Sequence, residues 1–163
     1  MSMKYVLTLA FGAVLSWCVA ADGPYKVFGV PVDGKWTGAS CKFKLKKPIG
    51  LFSTGYVYTN SVGFVHQFNF ARPLADNETK DSAINELKGV ERALARMFVL
   101  SSFTPHVDSN PNRYLWSEEC SMTECGGWSV RLYLEKDERG NGLVAKCSIW
   151  NAKLNQSPIG DMR

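Results

Sequence analysis

Histidine is the scarcest reactive side chain in this sequence: only His66 and His106 occur among 163 residues. Neither stands near the Cys120–Cys125 pair, which argues against a zinc site at that spacing. No G-x-S-x-G, H-E-x-x-H, Walker or G-x-G-x-x-G motif is present. The familiar signatures of serine hydrolases, zincins, P-loop enzymes and dinucleotide enzymes are therefore missing, and no metal or cofactor is implied. A strong charge imbalance is also lacking. With Lys4 set aside, 18 basic residues face 15 acidic ones, a net charge of +3. That alone demands neither nucleic acid nor an anionic membrane. Past the N-terminus no apolar run reaches the ~20 residues a spanning helix needs, so stable membrane insertion is not expected. Repeats and low-complexity segments are absent as well.

What is present starts with a leader. Lys4 precedes an uncharged apolar run over residues 5–17, and Ala20 and Ala21 suit a cleavage site. This pattern predicts a signal peptide over 1–20 and a secreted, extracellular protein. Residues 21–152 then read as a single domain, and 153–163 as a loose C-terminal tail. Cys18 leaves with the leader, and Cys41, Cys120, Cys125 and Cys147 remain. An even number in a secreted chain reads as two disulfides. Cys120 and Cys125 bracket a short loop. Cys41 and Cys147 share faces with apolar neighbours on their own strands, so the expected pairs are Cys41–Cys147 and Cys120–Cys125. Asn77-Glu78-Thr79 is a sequon, which marks Asn77 for glycosylation in a eukaryotic host.

In Ser40–Lys47, Cys41, Phe43 and Leu45 alternate with Lys42, Lys44 and Lys46. A period of two predicts a strand with one apolar and one lysine face. "GYVYTN" and "GFVHQFNF" follow as strands, the second with Phe64, His66, Phe68 and Phe70 on one side. From residue 81 to 100 the period changes: Ala83, Leu87, Val90, Leu94 and Met97 step by three and four, and Asp81 or Ser82 suits the N-cap. Three more strands pass through Trp116, Arg131 and Lys146. The fold class is α+β: one amphipathic helix on a twisted, mostly antiparallel sheet, three strands before the helix and three after.

Charge patterns give the candidate sites. The lysine face of the first strand reads first as protection of an edge strand. It reads second as a patch for RNA, phosphoinositide or an acidic protein. Lys88, Arg92 and Arg96 form a second basic stripe on the helix, held against like-charge repulsion. A hydrolase would draw on His66 or His106 with Glu118, Glu119 and Arg131, a carboxylate acting as base and the guanidinium holding phosphate oxygens. The simpler readings are a half-buried His66, a loop histidine at His106 and a cross-strand ion pair. Trp36 and Trp150 offer a carbohydrate or lipid surface as a third reading.

The order of elements and cysteines, from Cys41 through the helix and the strands of Trp116, Arg131 and Lys146 to Cys147, resembles the RNase-like secreted effectors of plant-pathogenic fungi, built on the ribonuclease T1 architecture. The aromatic-x-cysteine motif of that family is absent, since Ala39-Ser40 precedes Cys41. The extra strand before the helix and the Cys120–Cys125 pair also depart from it. The resemblance implies a catalytic glutamate, arginine and histidine on successive strands after the helix. Glu118 or Glu119 and Arg131 match the first two, but the last strand offers Lys146 and Ser148 and no histidine. The expectation is a monomeric, non-catalytic virulence effector acting on a host protein or RNA, with entry into host cells left open. The alternative is a secreted ribonuclease-like hydrolase.

Overall fold

The computed structural model describes residues 26–31, 35–38, 41–107, 113–123, 127–137 and 142–155. The leader assigned to 1–20, Cys125 and residues 156–163 of the tail lie outside them. In chain order the elements are β1 (Lys26–Val27), β2 (Val30–Pro31), β3 (Lys42–Ile49), β4 (Phe52–Thr59), β5 (Val65–Pro73), α1 (Lys80–Ala95), β6 (Thr104–Pro105), β7 (Tyr114–Ser121), β8 (Trp128–Lys136), β9 (Leu143–Asn151) and α2 (Ala152–Asn155). β1 and β2 pair with each other. The other seven strands form one sheet in the order β3-β4-β5-β9-β8-β7-β6. Every pair is antiparallel. Three long strands do lie on each side of α1. The two-residue strands β1, β2 and β6 were not expected, because two residues leave no period to read.

The core lies between one face of this sheet and α1. Ala83, Leu87, Val90 and Leu94 of the helix are buried, as are Phe68 and Phe70 of β5, Val130, Leu132 and Leu134 of β8, and Cys147 and Ile149 of β9. Phe28, in the β1–β2 turn, stands edge-on to Phe68, Phe70 and Phe98 at 5.2–5.8 Å between ring centroids. Gly50 turns β3 into β4 with φ of 55° directly beneath Val90.

Three local expectations are corrected. The helix N-cap is Thr79, whose hydroxyl accepts from the Ser82 amide at 3.2 Å, rather than Asp81 or Ser82. The helix stops at Ala95, so Met97 leaves the apolar stripe and is 49 % exposed, while Phe98 turns inward in its place. In β5 the register runs Thr59↔Val65 and then Tyr58↔Gln67. His66 is the extra residue of a bulge, which resets the alternation. Val65 therefore shares the buried face with Phe68 and Phe70, and His66 is half-buried.

The Cys41–Cys147 disulfide is also corrected. Cys41 stands just before β3, its carbonyl accepting from the Val57 amide of β4 at 2.7 Å. Cys147 lies on β9, with β4 and β5 between. Three steps at the usual strand spacing come to about 14 Å, and a disulfide tolerates Cα separations only up to about 7 Å. Cys41 is exposed, Cys147 and Cys120 are buried, and all three are free thiols, so the bond expected from Cys120 to Cys125 is not present at Cys120 either. At the other end, α2 carries ordered chain past the expected domain boundary at 152. The Leu154 carbonyl accepts from Asn60 Nδ2 at 3.0 Å.

Candidate functional site

The sheet has two chemically different faces. One packs on α1. The other is written by the cross-strand register, since residues paired across a sheet share a face. One row runs Lys42–Tyr56–Asn69–Ser148–Arg131–Glu119–Thr104 across all seven strands. Beside it runs Tyr58–Gln67–Trp150–Ser129–Ser121. On the far side lies Ala71–Lys146–Tyr133–Ser117. Aromatic, amide and basic groups are thus set out on one polar face. Tyr56 and Tyr58 are 39 % and 46 % exposed, while Gln67, Asn69, Trp150 and Arg131 are half-buried.

The β6 edge gathers three of the five catalytic candidates. The His106 amide donates to the Ser117 carbonyl at 3.0 Å, which holds this loop against β7. His106 Nδ1 lies 3.3 Å from Glu119 Oε2. The same carboxylate oxygen accepts from Arg131 Nε at 3.1 Å and Nη2 at 2.9 Å. Arg131 also lies over the Trp150 ring, 5.3 Å from its centroid. A pocket of about 330 Å3 opens beside this group, lined by Ser101, Thr104, His106, Glu119 and Ser121 among others. The row places Ser148 next to Arg131, where the resemblance called for a histidine.

The other candidates lie elsewhere. Glu118 projects to the helix side, where its carboxylate accepts from Lys88. Lys88 also meets Glu91 at 3.4 Å and sits over Trp116. Burial lowers the Lys88 pKa, but the Glu118 hydrogen bond and the Glu91 charge outweigh it and hold the ammonium above its ordinary value. His66 is remote from Glu119 along the sheet. Burial lowers its pKa, against a backbone hydrogen bond to Thr59. Lys42, Lys44 and Lys46 are exposed on β3, an edge strand. The lysines and the Lys88, Arg92, Arg96 stripe do not form one patch, because Phe43 and Leu45 point from β3 toward the helix and the lysines point away. Asn77 is exposed in the turn before α1.

Two further charged groups complete the picture. Arg92 lines a cleft of about 920 Å3 on the helix side, with Gly50, Arg72, Glu78 and Glu86. Arg72 there is clamped by Glu78 at 2.7 and 2.8 Å and by Glu86 at 2.8 Å. The Arg72 hydrogen bond, with the Ala75 amide, pulls the Glu78 carboxyl down to about 2. On the polar face, the 3 % exposed Glu135 pairs with Lys146 and, at 3.3 Å, with Arg113. Reading the sequence missed Tyr56, Tyr58, Gln67 and Asn69 as site residues. The signal was there in "GYVYTN", whose alternation sets both tyrosines on the face away from Val57. Among the described residues no helix is long and apolar enough to cross a membrane. No protein-family model, curated protein or solved structure matches the chain.

Proposed function

We propose that this is a secreted, non-catalytic binding protein of the effector type, which captures single-stranded RNA of a host on the polar face of its sheet. The observation that carries the reading is the seven-strand row with its neighbours. It sets the stacking surfaces Tyr56, Tyr58 and Trp150 beside the exposed cations Lys42 and Lys44, with Arg131 and Lys146 on the same face paired to Glu119 and Glu135. Aromatic platforms inside a basic surface are how proteins hold unpaired nucleotides: rings take the bases and cations take the phosphates. The leader pattern supports secretion, and the resemblance to RNase-like effectors supports the host as the source of RNA.

A ribonuclease-like hydrolase is the second reading, and the convergence of His106, Glu119 and Arg131 is what favours it. Geometry weighs against it. Displacement at phosphorus sets the attacking and leaving oxygens roughly in line, so base and acid must flank the phosphorus. His106 Nδ1 and the Glu119 carboxylate stand side by side at 3.3 Å. A guanidinium already occupies the carboxylate oxygen that faces the histidine.

The test is fluorescence anisotropy of labelled single-stranded RNA with the mature chain, and gel analysis of the same RNA after incubation. Binding without cleavage is the expected result. Cleavage that disappears in His106→Ala would replace this reading with the hydrolase. Absence of binding, with capture of an acidic protein by the same face, would replace RNA as the partner.

A further inference from the structure

The cleft of about 920 Å3 on the helix side lies away from the polar face and takes no part in the RNA reading. Its volume is that of a small-molecule site. Gly50 and Gly89 line it without side chains, which opens the floor. Arg92 folds back over that gap, since a Cβ at Gly89 would meet its Nη2 at 3.8 Å. Arg92 is exposed and, among the described residues, enters no ion pair or hydrogen bond. The Arg72 clamp stands at the other end. Glu78 is fully engaged there: Oε1 accepts from Arg72 Nη2, and Oε2 accepts from Arg72 Nη1 and the Ala75 amide. Glu86 holds Arg72 through Oε2 alone, so its Oε1 remains an acceptor. Two carboxylates against one guanidinium leave the clamp with one net negative charge. Glu78, pulled down to about 2 by Arg72 and the Ala75 amide, keeps its charge at neutral pH. The cleft therefore has a negative pole at Glu86 and a positive pole at Arg92. Six residues apart, these two are not neighbours on the helix and do not neutralise each other.

We propose that this cleft is a second binding site, which takes a small zwitterion with its ammonium on Glu86 and its carboxylate or phosphate on Arg92. A simple anion would meet Arg92 but be repelled by the clamp, and a simple cation would meet the reverse. Only a molecule that carries both signs satisfies both poles. The guanidinium offers the two-pronged fork that carboxylate and phosphate oxygens accept from. An ammonium brings three donors, one for Glu86 Oε1 and the others for the Asn85 and Ser82 oxygens, whose side chains line the same cleft. No aromatic side chain lines it among the described residues, and Leu51 is its one apolar side chain. A nucleobase or an acyl chain therefore finds no wall to pack on, and the ligand is small and polar. Free amino acids and the phosphoethanolamine headgroup of lipids share this chemistry.

The experiment follows the backbone amides of the mature chain by NMR while γ-aminobutyrate, phosphoethanolamine, acetate or ethylamine is added. A zwitterion should shift residues 82–92 saturably and bind about tenfold tighter than acetate or ethylamine. A stronger response to γ-aminobutyrate would assign the cleft to free amino acids, and a stronger response to phosphoethanolamine to the lipid headgroup. Arg92→Gln and Glu86→Gln should each weaken the zwitterion about tenfold. Glu86→Gln also loosens the Arg72 clamp, so Gly89→Leu supplies a second handle. The backbone there accepts a Cβ, and the larger side chain fills the floor. That variant should keep its thermal melt and lose the zwitterion. Acetate binding as tightly as the zwitterions would reduce the cleft to a lone guanidinium and overturn the proposal. Shifts that ignore Gly89→Leu, or no saturable shift with either zwitterion, would overturn it as well. None of these outcomes touches RNA binding on the polar face, which stands or falls by its own test.

Discussion

Burial divides the described cysteines into two kinds of thiol. Cys41 is exposed at the entry to β3, whereas Cys120 and Cys147 are 5 % and 1 % exposed. Burial, with the charges of Glu91 and Glu119, pushes the Cys120 thiol up to about 12. Burial and the nearby Cys120 raise Cys147 as well. Only the thiolate reacts with an alkylating agent. Iodoacetamide should therefore modify Cys41 in the native protein and reach Cys147 only in denaturant, as read by peptide mass spectrometry. Modification of Cys147 at the rate of Cys41 would contradict this. Cys120, also a buried free thiol, should stay equally silent, and non-reducing maps should hold no Cys41–Cys147 peptide. His66 gives a prediction with a sign. Its pKa is lowered from 6.5, chiefly by burial, so the fold favours the neutral ring. The stability this gives is complete above the unfolded value of about 6.5 and is lost as the pH falls through the folded pKa. Thermal melts of His66→Gln should show a smaller drop between neutral and mildly acidic pH than wild type. An unchanged drop would show that another group governs that range.

Glycines and caps act at the scale of the element, where similar substitutions should have opposite outcomes. Gly89 lies within α1, and a Cβ there would meet only Arg92 Nη2 at 3.8 Å. Gly89→Ala should stabilise the protein by about 0.5–1 kcal/mol through the helix alone. At Gly50 φ is 55° and a Cβ would come within 2.8 Å of Val90 Cγ2. Gly50→Ala should destabilise by about 1–3 kcal/mol, and Thr79→Ala by about 1 kcal/mol through loss of the cap. Urea unfolding of the three variants checks the order, and a Gly50→Ala variant as stable as Gly89→Ala would show that the turn relaxes freely. These elements were largely legible beforehand, because Phe43 and Leu45 alternate with lysines and because Ala83, Leu87, Val90 and Leu94 keep helical spacing. The bulge at His66 was not. One inserted residue leaves the composition of a strand unchanged, and only the partner strand reveals it. The Cys41–Cys147 pairing is excluded for a related reason: alternation gives the face of each residue on its own strand, but not the order of strands, which puts β4 and β5 between the two.

Across the whole molecule, the site is a property of that strand order. Lys42, Tyr56, Asn69, Ser148 and Arg131 are scattered over β3, β4, β5, β9 and β8, and nothing local to any of them announces the row. The placement of β9 between β5 and β8 makes it, and puts Trp150 beside Gln67 instead of at an edge. The same order separates the two basic groups that the sequence invited into one patch. Lys42, Lys44 and Lys46 stand on the polar face of the edge strand β3, where they also deter pairing with a second sheet edge. Lys88 and Arg92 ride on the helix behind it, and Arg96 caps its C-terminus. Lys88 is already engaged by Glu118 and Glu91. If RNA binds as proposed, the two groups can therefore be told apart by salt. Each phosphate contact to a single strand adds about 0.7 to the slope of log K against log salt. Replacing Lys42, Lys44 and Lys46 with glutamine should lower that slope by about 2 and raise self-association in light scattering. Replacing Lys88, Arg92 and Arg96 with glutamine should change neither. A helix variant that flattens the slope, beside a strand variant that leaves it intact, would move the RNA to the helix side. Self-association without any change in slope would reduce the lysines to guards of the β3 edge and take the phosphates off this face, since Arg131 and Lys146 are already paired with Glu119 and Glu135.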